Sequence, residues 1–348
     1  MRAMILAAGY GTRLWPLTID RAKPAIPFMG RPLVGYVAEY LSRYGFDDVV
    51  VNLHHRPESV REALGDGSRF GARFHYIEEP EILGTGGAIV NARALLDSDA
   101  FVVVNGKIAT DVDLSAALET HRRERALATL VLRPNPARER YSVVDTRGGL
   151  VTGFGGYPTS DNAGEKTSRA DHADHEDDAT RPGEAPLMFT GIQVLDRRVF
   201  DYIPLGERGQ AVFSHTVTDV YLPAMKRGER VAAHVADGYW YELSTVRRYL
   251  DTSVELLRRE GRDVELGEGS AVEAGADVSE SVLWEGVRVE GGARVRRSVL
   301  GAGVRVGLGE VFEGVAVVRA DLVRGEERPE KGLRGEVRGS NFVAPIPE

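Results

Sequence analysis

The chain has 348 residues, 43% hydrophobic and 28% charged, the balance of an ordinary folded protein with length for two domains and a sizeable core. A net charge of −8 and the absence of cysteine argue against a nucleic-acid partner held by phosphate neutralisation and remove disulfides, thiolate catalysis and thiolate zinc sites. No apolar leader and no window of 18 apolar residues occurs, so the expected compartment is the cytoplasm, with no membrane partner.

The first element in chain order is a short apolar run, Met4-Ile5-Leu6-Ala7-Ala8, which reads as the buried first strand of an α/β sheet. Gly9 and Gly11 then bracket a tight turn where a bulky side chain would hold backbone amides away from an anion. Thr12, Arg13 and Lys23 set a hydroxyl and two cations beside it, the groups that phosphate oxygens need. Helical spacing follows over Pro32–Tyr44 and again over Pro57–Leu64, with β-branched or apolar strands at Asp48–Leu53 and Ala72–Ile77. Such alternation predicts a mostly parallel sheet covered by helices on both faces, with ligands outside the carboxyl ends of its strands.

The polar segment Glu78–Ile89 ends in Gly84-Thr85-Gly86-Gly87 and leads into a predicted helix, Ala88–Leu96. Phe101–Val104 is a buried strand that turns at Asn105-Gly106. Asp111 and Asp113 stand at the entrance of the helix Leu114–Arg125, where a carboxylate is either a cap or a replacement metal ligand. Strands are predicted at Ala126–Arg133, Tyr141–Val144 and Leu150–Phe154. The run 159–186 is polar and acidic without periodicity and is expected to be a disordered loop; its His172, Asp174, His175, Glu176, Asp177 and Asp178 read as a solvated surface or an adventitious ion site. A strand at Met188–Val194 and a helix closing at Arg259 complete this part.

From about Val264 the pattern changes. Val278-Ser-Glu-Ser-Val282-Leu-Trp-Glu-Gly286 recurs 17 residues later as Val295-Arg-Arg-Ser-Val299-Leu-Gly-Ala-Gly303. Short valine-rich strands with glycine corners at a fixed period are the mark of a solenoid. Three to four coils fit the length, and Leu322–Glu348 reads as an extended tail across the solenoid or a neighbouring subunit.

The string from the glycine loop through Gly11-Thr12-Arg13-Leu14, Pro16-Leu17-Thr18 and Lys23-Pro24 resembles the signature of the sugar-1-phosphate nucleotidylyltransferases. The Leu83–Gly87 loop, Phe189-Thr190-Gly191-Ile192 and Gly238–Thr245 are similar to further motifs of that family, and the repeat resembles the left-handed β-helix appended to many members. The resemblance implies a Rossmann-like α/β nucleotide-diphospho-sugar transferase fold with a mixed, mostly parallel sheet over residues 1–260, then a short left-handed parallel β-helix and tail over 261–348. It implies that a nucleoside triphosphate and a sugar-1-phosphate give a nucleotide-sugar and pyrophosphate. Arg13 and Lys23 would be catalytic. Leu6, Ala8, Gly9, Gly11, Thr12, Gly84, Thr85 and Gly87 would contact the nucleotide; Tyr141, Thr190 and Gly191 would contact the sugar.

The resemblance also implies a magnesium ion, and three departures fall on that requirement. Lys107 stands where the family carries a metal-binding aspartate, Glu242 where it carries the second one, and Gly156-Tyr157 where it carries a glutamate–lysine pair before the proline. Two readings follow: an active transferase, with Asn52-Leu53-His54-His55 and Leu83–Ile89 leaning toward GTP and mannose-1-phosphate, or a catalytically impaired nucleotide-sugar-binding homologue that regulates or scaffolds an active partner. A hexapeptide-repeat acyltransferase is a third reading with less behind it. The flat valine faces of the repeat predict a homo-oligomer, or a hetero-complex with an active homologue.

Overall fold

The computed structural model describes residues 1–139, 141–155 and 185–347. The triplet Gly156-Tyr157-Pro158, the cluster His172–Asp178 and nearly all of the 159–186 run lie outside the described residues.

Nine strands form the central sheet: β1 (Arg2–Leu6), β2 (Asp48–Leu53), β3 (Arg73–Glu78), β4 (Ala100–Asn105), β5 (Ala128–Pro134), β6 (Val144–Arg147), β7 (Leu150–Phe154), β8 (Leu187–Asp196) and β9 (Val231–Val235). Their order is β3-β2-β1-β4-β8-β5-β9-β7-β6. The pairs β3–β2, β2–β1, β1–β4 and β5–β9 are parallel, and β8 and β7 run against the rest. The expected mixed, mostly parallel sheet is present. Its central strands are apolar on both faces because helices cover both. Ala3, Ile5, Val49, Val51, Val102 and Val104 enter one core, while Met4, Val50, Phe101 and Val103 enter the other.

The helix Leu33–Arg43 buries Leu33, Val34, Val37, Ala38, Tyr40 and Leu41, one stripe at helical spacing. The helix Val246–Arg259 buries Val246, Tyr249, Leu250, Ser253, Val254 and Leu257, and the Thr245 side chain caps it by accepting from the Arg248 amide at 3.2 Å. At the entrance of the helix Leu114–Glu124, Asp113 accepts from the Ser115 and Ala116 amides, so the cap reading holds there. Asp111 instead accepts from the Tyr239 amide at 2.6 Å. Two elements differ from expectation: the strand expected at Tyr141–Val144 is formed at Val144–Arg147, and a helix start has moved. The helix predicted to start at Ala88 starts at Gly84 and ends at Asn91, with a separate turn at Arg93–Leu95. Glycine propensity is overridden there because Gly86 and Gly87 pack against the backbone of Val212 and Ser214, which leaves no room for a Cβ.

Beyond the closing helix the chain winds into a parallel β-helix. Val264 pairs with Ser281, Val282 with Val299 and Val299 with Ala316, each step being 17 residues, and two further three-strand stacks keep the same step. Three coils and the first strand of a fourth are formed. Their interior is a ladder of Val287, Val289, Val295, Val304 and Val306 with Leu283 and Leu300. Gly286 and Gly303 occupy equivalent corners at φ 69° and 67°, a conformation that a Cβ disfavours. The tail lies across the solenoid: Asn341–Pro345 pairs antiparallel with Val315–Arg319, and Glu336–Arg338 pairs with it in turn. This hairpin covers an otherwise open sheet edge.

The solenoid shares a core with the segment after β1 and with the closing helix. Leu14, Trp15, Leu17, Ile19, Ile26 and Phe28, from the stretch after the glycine turn, are buried with Tyr249 and Leu250 of the closing helix and with Val282, Trp284, Val299, Val318 and Phe342 of the solenoid and tail. The back of the glycine turn therefore rests on the β-helix.

Candidate active site

At the carboxyl ends of β1, β2 and β4 two cavities adjoin. One, of about 420 Å³, is lined by the predicted residues Leu6, Ala8, Gly9, Gly11, Thr12, Arg13, Lys23, Gly84 and Thr85, together with Asn52, Glu79, Asn105 and Lys107. The other, of about 490 Å³, is lined by the predicted Tyr141, Thr190, Gly191 and Glu242, with Glu139, Trp240, Thr245 and Arg248. Arg13, Asn105, Lys107 and Ser244 border both. Gly87 does not line either cavity; it is buried against Val212.

The first cavity follows from the turn after β1. Gly11 has φ 65°, and a Cβ there would stand 2.9 Å from the Cβ of Lys23. Gly9 has nothing within 4 Å of such a Cβ, so its free side opens on the cavity. Asn52, a lone amide in the apolar strand Val49-Val50-Val51-Asn52-Leu53, binds the turn to its surroundings. Its Oδ1 accepts from the Ala7 amide at 2.9 Å, its Nδ2 donates to Glu79 Oε1 at 2.7 Å, and Glu79 Oε2 accepts from the Leu83 amide at 3.0 Å. A buried amide bonded through both its oxygen and its nitrogen fixes geometry. The Gly84 turn is braced from outside as well: the Thr216 amide donates to Thr85 Oγ1 at 2.9 Å, and the Ser214 carbonyl accepts from the Gly86 amide at 2.8 Å.

The second cavity owes its shape to two irregularities. Between Phe189 and Gln193 the pairing of β8 with β5 slips, and Gly191 at the slip has φ 81°, with a would-be Cβ only 2.1 Å from Asn105 Nδ2. A bulge re-aims the residues around it. Thr190 Oγ1 donates to the Val131 carbonyl at 2.7 Å, the Trp240 indole donates to the Thr190 carbonyl at 3.0 Å, and the Trp240 ring meets Tyr141 edge-on at 5.3 Å. The second irregularity is the ribbon pairing Ile108–Thr110 with Trp240–Glu242, in which Glu242 faces Ile108. That register brings Lys107 beside Glu242.

The Lys107 ammonium is hydrogen-bonded to Glu242 Oε1. Arg248 Nη1 lies 3.4 Å from Glu242 Oε2, its Nη2 lies 3.1 Å from Glu139 Oε1, and its guanidinium stacks 4.5 Å over the Tyr141 ring. Burial works to raise the Glu242 pKa, but the charges of Lys107 and Lys23 and the bonds from Lys107 and Ser244 outweigh it and hold the carboxyl at about 2. Lys23 is buried, and burial first, then the charge of Lys107, pushes its pKa well below the usual lysine range.

A divalent cation needs several free oxygen ligands. Here the nearest carboxylate is already taken by an ammonium and a guanidinium, and among the described residues no group of three or more His, Asp or Glu gathers to hold a metal. The residues present do not fit the magnesium ion that the sequence resemblance implies. Asn105, Ser244, Arg248 and Glu79 escaped the sequence reading. Glu79 stands in a run of acidic residues, and Arg248 in Arg247-Arg248 looks like an exposed helix start. Only Asn52 carried a signal, a single amide in an apolar strand.

The sheet order and the paired cavities define an α/β protein with a two-part cleft at its strand ends and an appended β-helix. The chain belongs to the nucleotidyl transferase family, whose model matches residues 2–259. It is 30% identical over 277 residues to a UTP–glucose-1-phosphate uridylyltransferase of Synechocystis, covering 76% of this chain and 66% of that one. It is 28% identical to a mannose-1-phosphate guanylyltransferase of Mycobacterium tuberculosis, covering 79% and 72%, and 31% identical to an N-acetylmuramate alpha-1-phosphate uridylyltransferase of Neisseria meningitidis, covering 71% and 95%. The crystal structure of HddC from Yersinia pseudotuberculosis shares the fold with TM-score 0.57 at 22% identity, over 73% of this chain and 99% of that one.

Proposed function

We propose that the protein joins a nucleoside triphosphate to a sugar-1-phosphate, releasing pyrophosphate, with GTP and mannose-1-phosphate as the preferred pair. The observation that carries this reading is the meeting of two cavities at Arg13, Asn105, Lys107 and Ser244. One is walled by a glycine turn and cations, the other by hydroxyls and aromatic rings, the surfaces that a nucleotide and a sugar require. The sugar phosphate oxygen attacks the α-phosphorus, a new P–O bond forms, and the bond from the α-phosphorus to the bridging oxygen breaks as pyrophosphate leaves. Catalysis here is positioning plus charge neutralisation. Arg13 faces the departing phosphates and Lys23 the α-phosphate, while the amides around Gly9, Gly11 and Thr12, with Gly84 and Thr85, seat the nucleotide. Tyr141, Thr190 and Gly191 border the sugar. Relatives named for uridylyl and guanylyl transfer stand side by side, and the lean to guanine rests on Asn52–His55 and Leu83–Ile89.

The Lys107–Glu242 pair favours a second reading, a nucleotide-sugar-binding homologue with weak turnover that regulates an active partner. Pyrophosphate release measured with each of four triphosphates against a panel of sugar-1-phosphates separates the two. Turnover with one pair supports the enzyme; nucleotide-sugar binding without any turnover supports the regulator. A cytoplasmic location and a homo-oligomer assembled through the solenoid belong to the same proposal. Among the described residues no helix is long and apolar enough to cross a membrane.

A further inference from the structure

Glu242 is a nearly buried carboxylate facing more cations than it can neutralise. Lys107 sits on one oxygen and Arg248 approaches the other, and the cavity that all three line holds three cations, Arg13, Lys107 and Arg248, against two carboxylates, Glu139 and Glu242. Positive charge taken out of water is costly unless an anion meets it, so the cluster has room for one more anion than the chain supplies. Its position says which. Lys107 borders both cavities, while Arg248 lines only the one walled by Tyr141, Thr190 and Trp240. A sugar lying against those groups turns its phosphate toward the cavity that holds the nucleotide, between Lys107 and Arg248. Arg248 is fixed in place by stacking on Tyr141, by Nη1 donating to the Tyr141 hydroxyl and to Glu242, and by Nη2 on Glu139, and a guanidinium has five N–H donors and suits phosphate oxygens.

We propose that Lys107 and Arg248 form the subsite for the phosphomonoester of the incoming sugar-1-phosphate, receiving it without a bridging divalent cation, with Glu242 as the positioning residue that keeps both cations aimed. The inference rests on the sugar-1-phosphate reading above and adds the residues that hold the acceptor.

The test is equilibrium binding of mannose-1-phosphate and glucose-1-phosphate in chelator, in the presence of a GTP or UTP analogue carrying a methylene bridge between the α- and β-phosphorus. The proteins compared are the parent, Arg248→Gln, Arg248→Lys, Lys107→Gln and Lys107→Arg. Analogue affinity, measured on each sample, reports that the first cavity is folded. The proposal expects Arg248→Gln and Lys107→Gln to bind the sugar phosphate about tenfold to a hundredfold more weakly, the range for a lost charge-assisted bond. The two charge-keeping variants recover part of the loss, and the parent is indifferent to chelator. Sugar-phosphate binding unchanged in both glutamine variants overturns the subsite and leaves the proposed reaction standing. Binding in the parent that vanishes in chelator overturns the cation-free seat alone. A parent that binds an analogue but no sugar phosphate, with or without magnesium, overturns the subsite and the sugar-1-phosphate reading together.

Discussion

The Trp284 indole, in the second coil of the solenoid, donates to the Tyr249 hydroxyl of the closing helix at 2.9 Å, and that hydroxyl donates in turn to the Pro27 carbonyl at 2.6 Å. Arg21 lies over the Trp284 ring at 4.9 Å and pairs with Glu285 at 2.6 Å. One buried chain of contacts thus runs from the β-helix to the segment that carries Lys23. Replacing Trp284 with alanine removes a large buried ring and should cost about 3–5 kcal/mol of stability, read by chemical denaturation. The same change should weaken nucleotide binding, because the back of the glycine turn loses its support. A variant as stable as the parent would mean that the two parts fold independently. Deleting everything after Gly261 exposes Leu14, Trp15, Leu17 and Phe28 and should give an insoluble product.

The two glycines of the opening turn should fail differently. Gly9→Val has open space around its Cβ, so stability should stay within about 0.5 kcal/mol of the parent while nucleotide affinity is lost to the intruding side chain. Gly11→Val meets Lys23 and Thr18 and is held at φ 65°, and should lose roughly 1–3 kcal/mol as well. Thermal shift with and without GTP measures both quantities in one assay. A Gly9→Val protein stabilised by GTP like the parent would move the phosphates elsewhere.

What the sequence makes legible here is what local pattern encodes. The apolar runs of β1, β2 and β4, the stripe of the closing helix and the 17-residue repeat each state their own structure, and Gly9, Gly11, Arg13 and Lys23 belong to one short stretch of chain. Arg248 and Asn105 were not legible, because Arg248 meets Tyr141 and Glu139 from 107 and 109 residues away and Asn105 meets Gly191, 86 residues on, at a bulge that only the pairing of β8 reveals. The ion pair of Lys107 with Glu242 depends on a ribbon register across more than a hundred residues. The start of the helix at Gly84 was missed because tertiary contacts with Val212 and Ser214 overrule the poor propensity of glycine.

The depressed pKa of Glu242 makes a pH prediction with a definite sign. Its ordinary value of 4.5 falls to about 2 in the folded protein, so its stabilising contribution is complete above the unfolded value and disappears as pH drops from about 4.5 to about 2. The shift corresponds to roughly 3 kcal/mol, an order-of-magnitude figure. Glu242→Gln should therefore be less stable than the parent at neutral pH, and the gap should close on acidification through that window. Paired denaturation curves across the range decide it; a gap that stays constant down to the acid limit would show that the carboxylate is not the group that Lys107 stabilises.

Lys23 shifts the opposite way from a lysine gaining a partner. Burial and the nearby Lys107 charge disfavour its ammonium, so in the free protein it releases its proton at a pH well below that of an ordinary lysine. A phosphate chain beside it reverses the balance, because an opposite charge within a few ångströms favours the charged form. Nucleotide binding should then be accompanied by proton uptake wherever the free protein holds Lys23 neutral and the complex holds it charged. Calorimetry of GTP binding in buffers of different ionisation enthalpy, scanned from about pH 6 to about 10, measures that uptake directly. A Lys23→Met variant should show a smaller uptake and weaker binding. If proton uptake is the same in Lys23→Met as in the parent, the proton belongs to another group, and Lys23 is not the cation that meets the nucleotide.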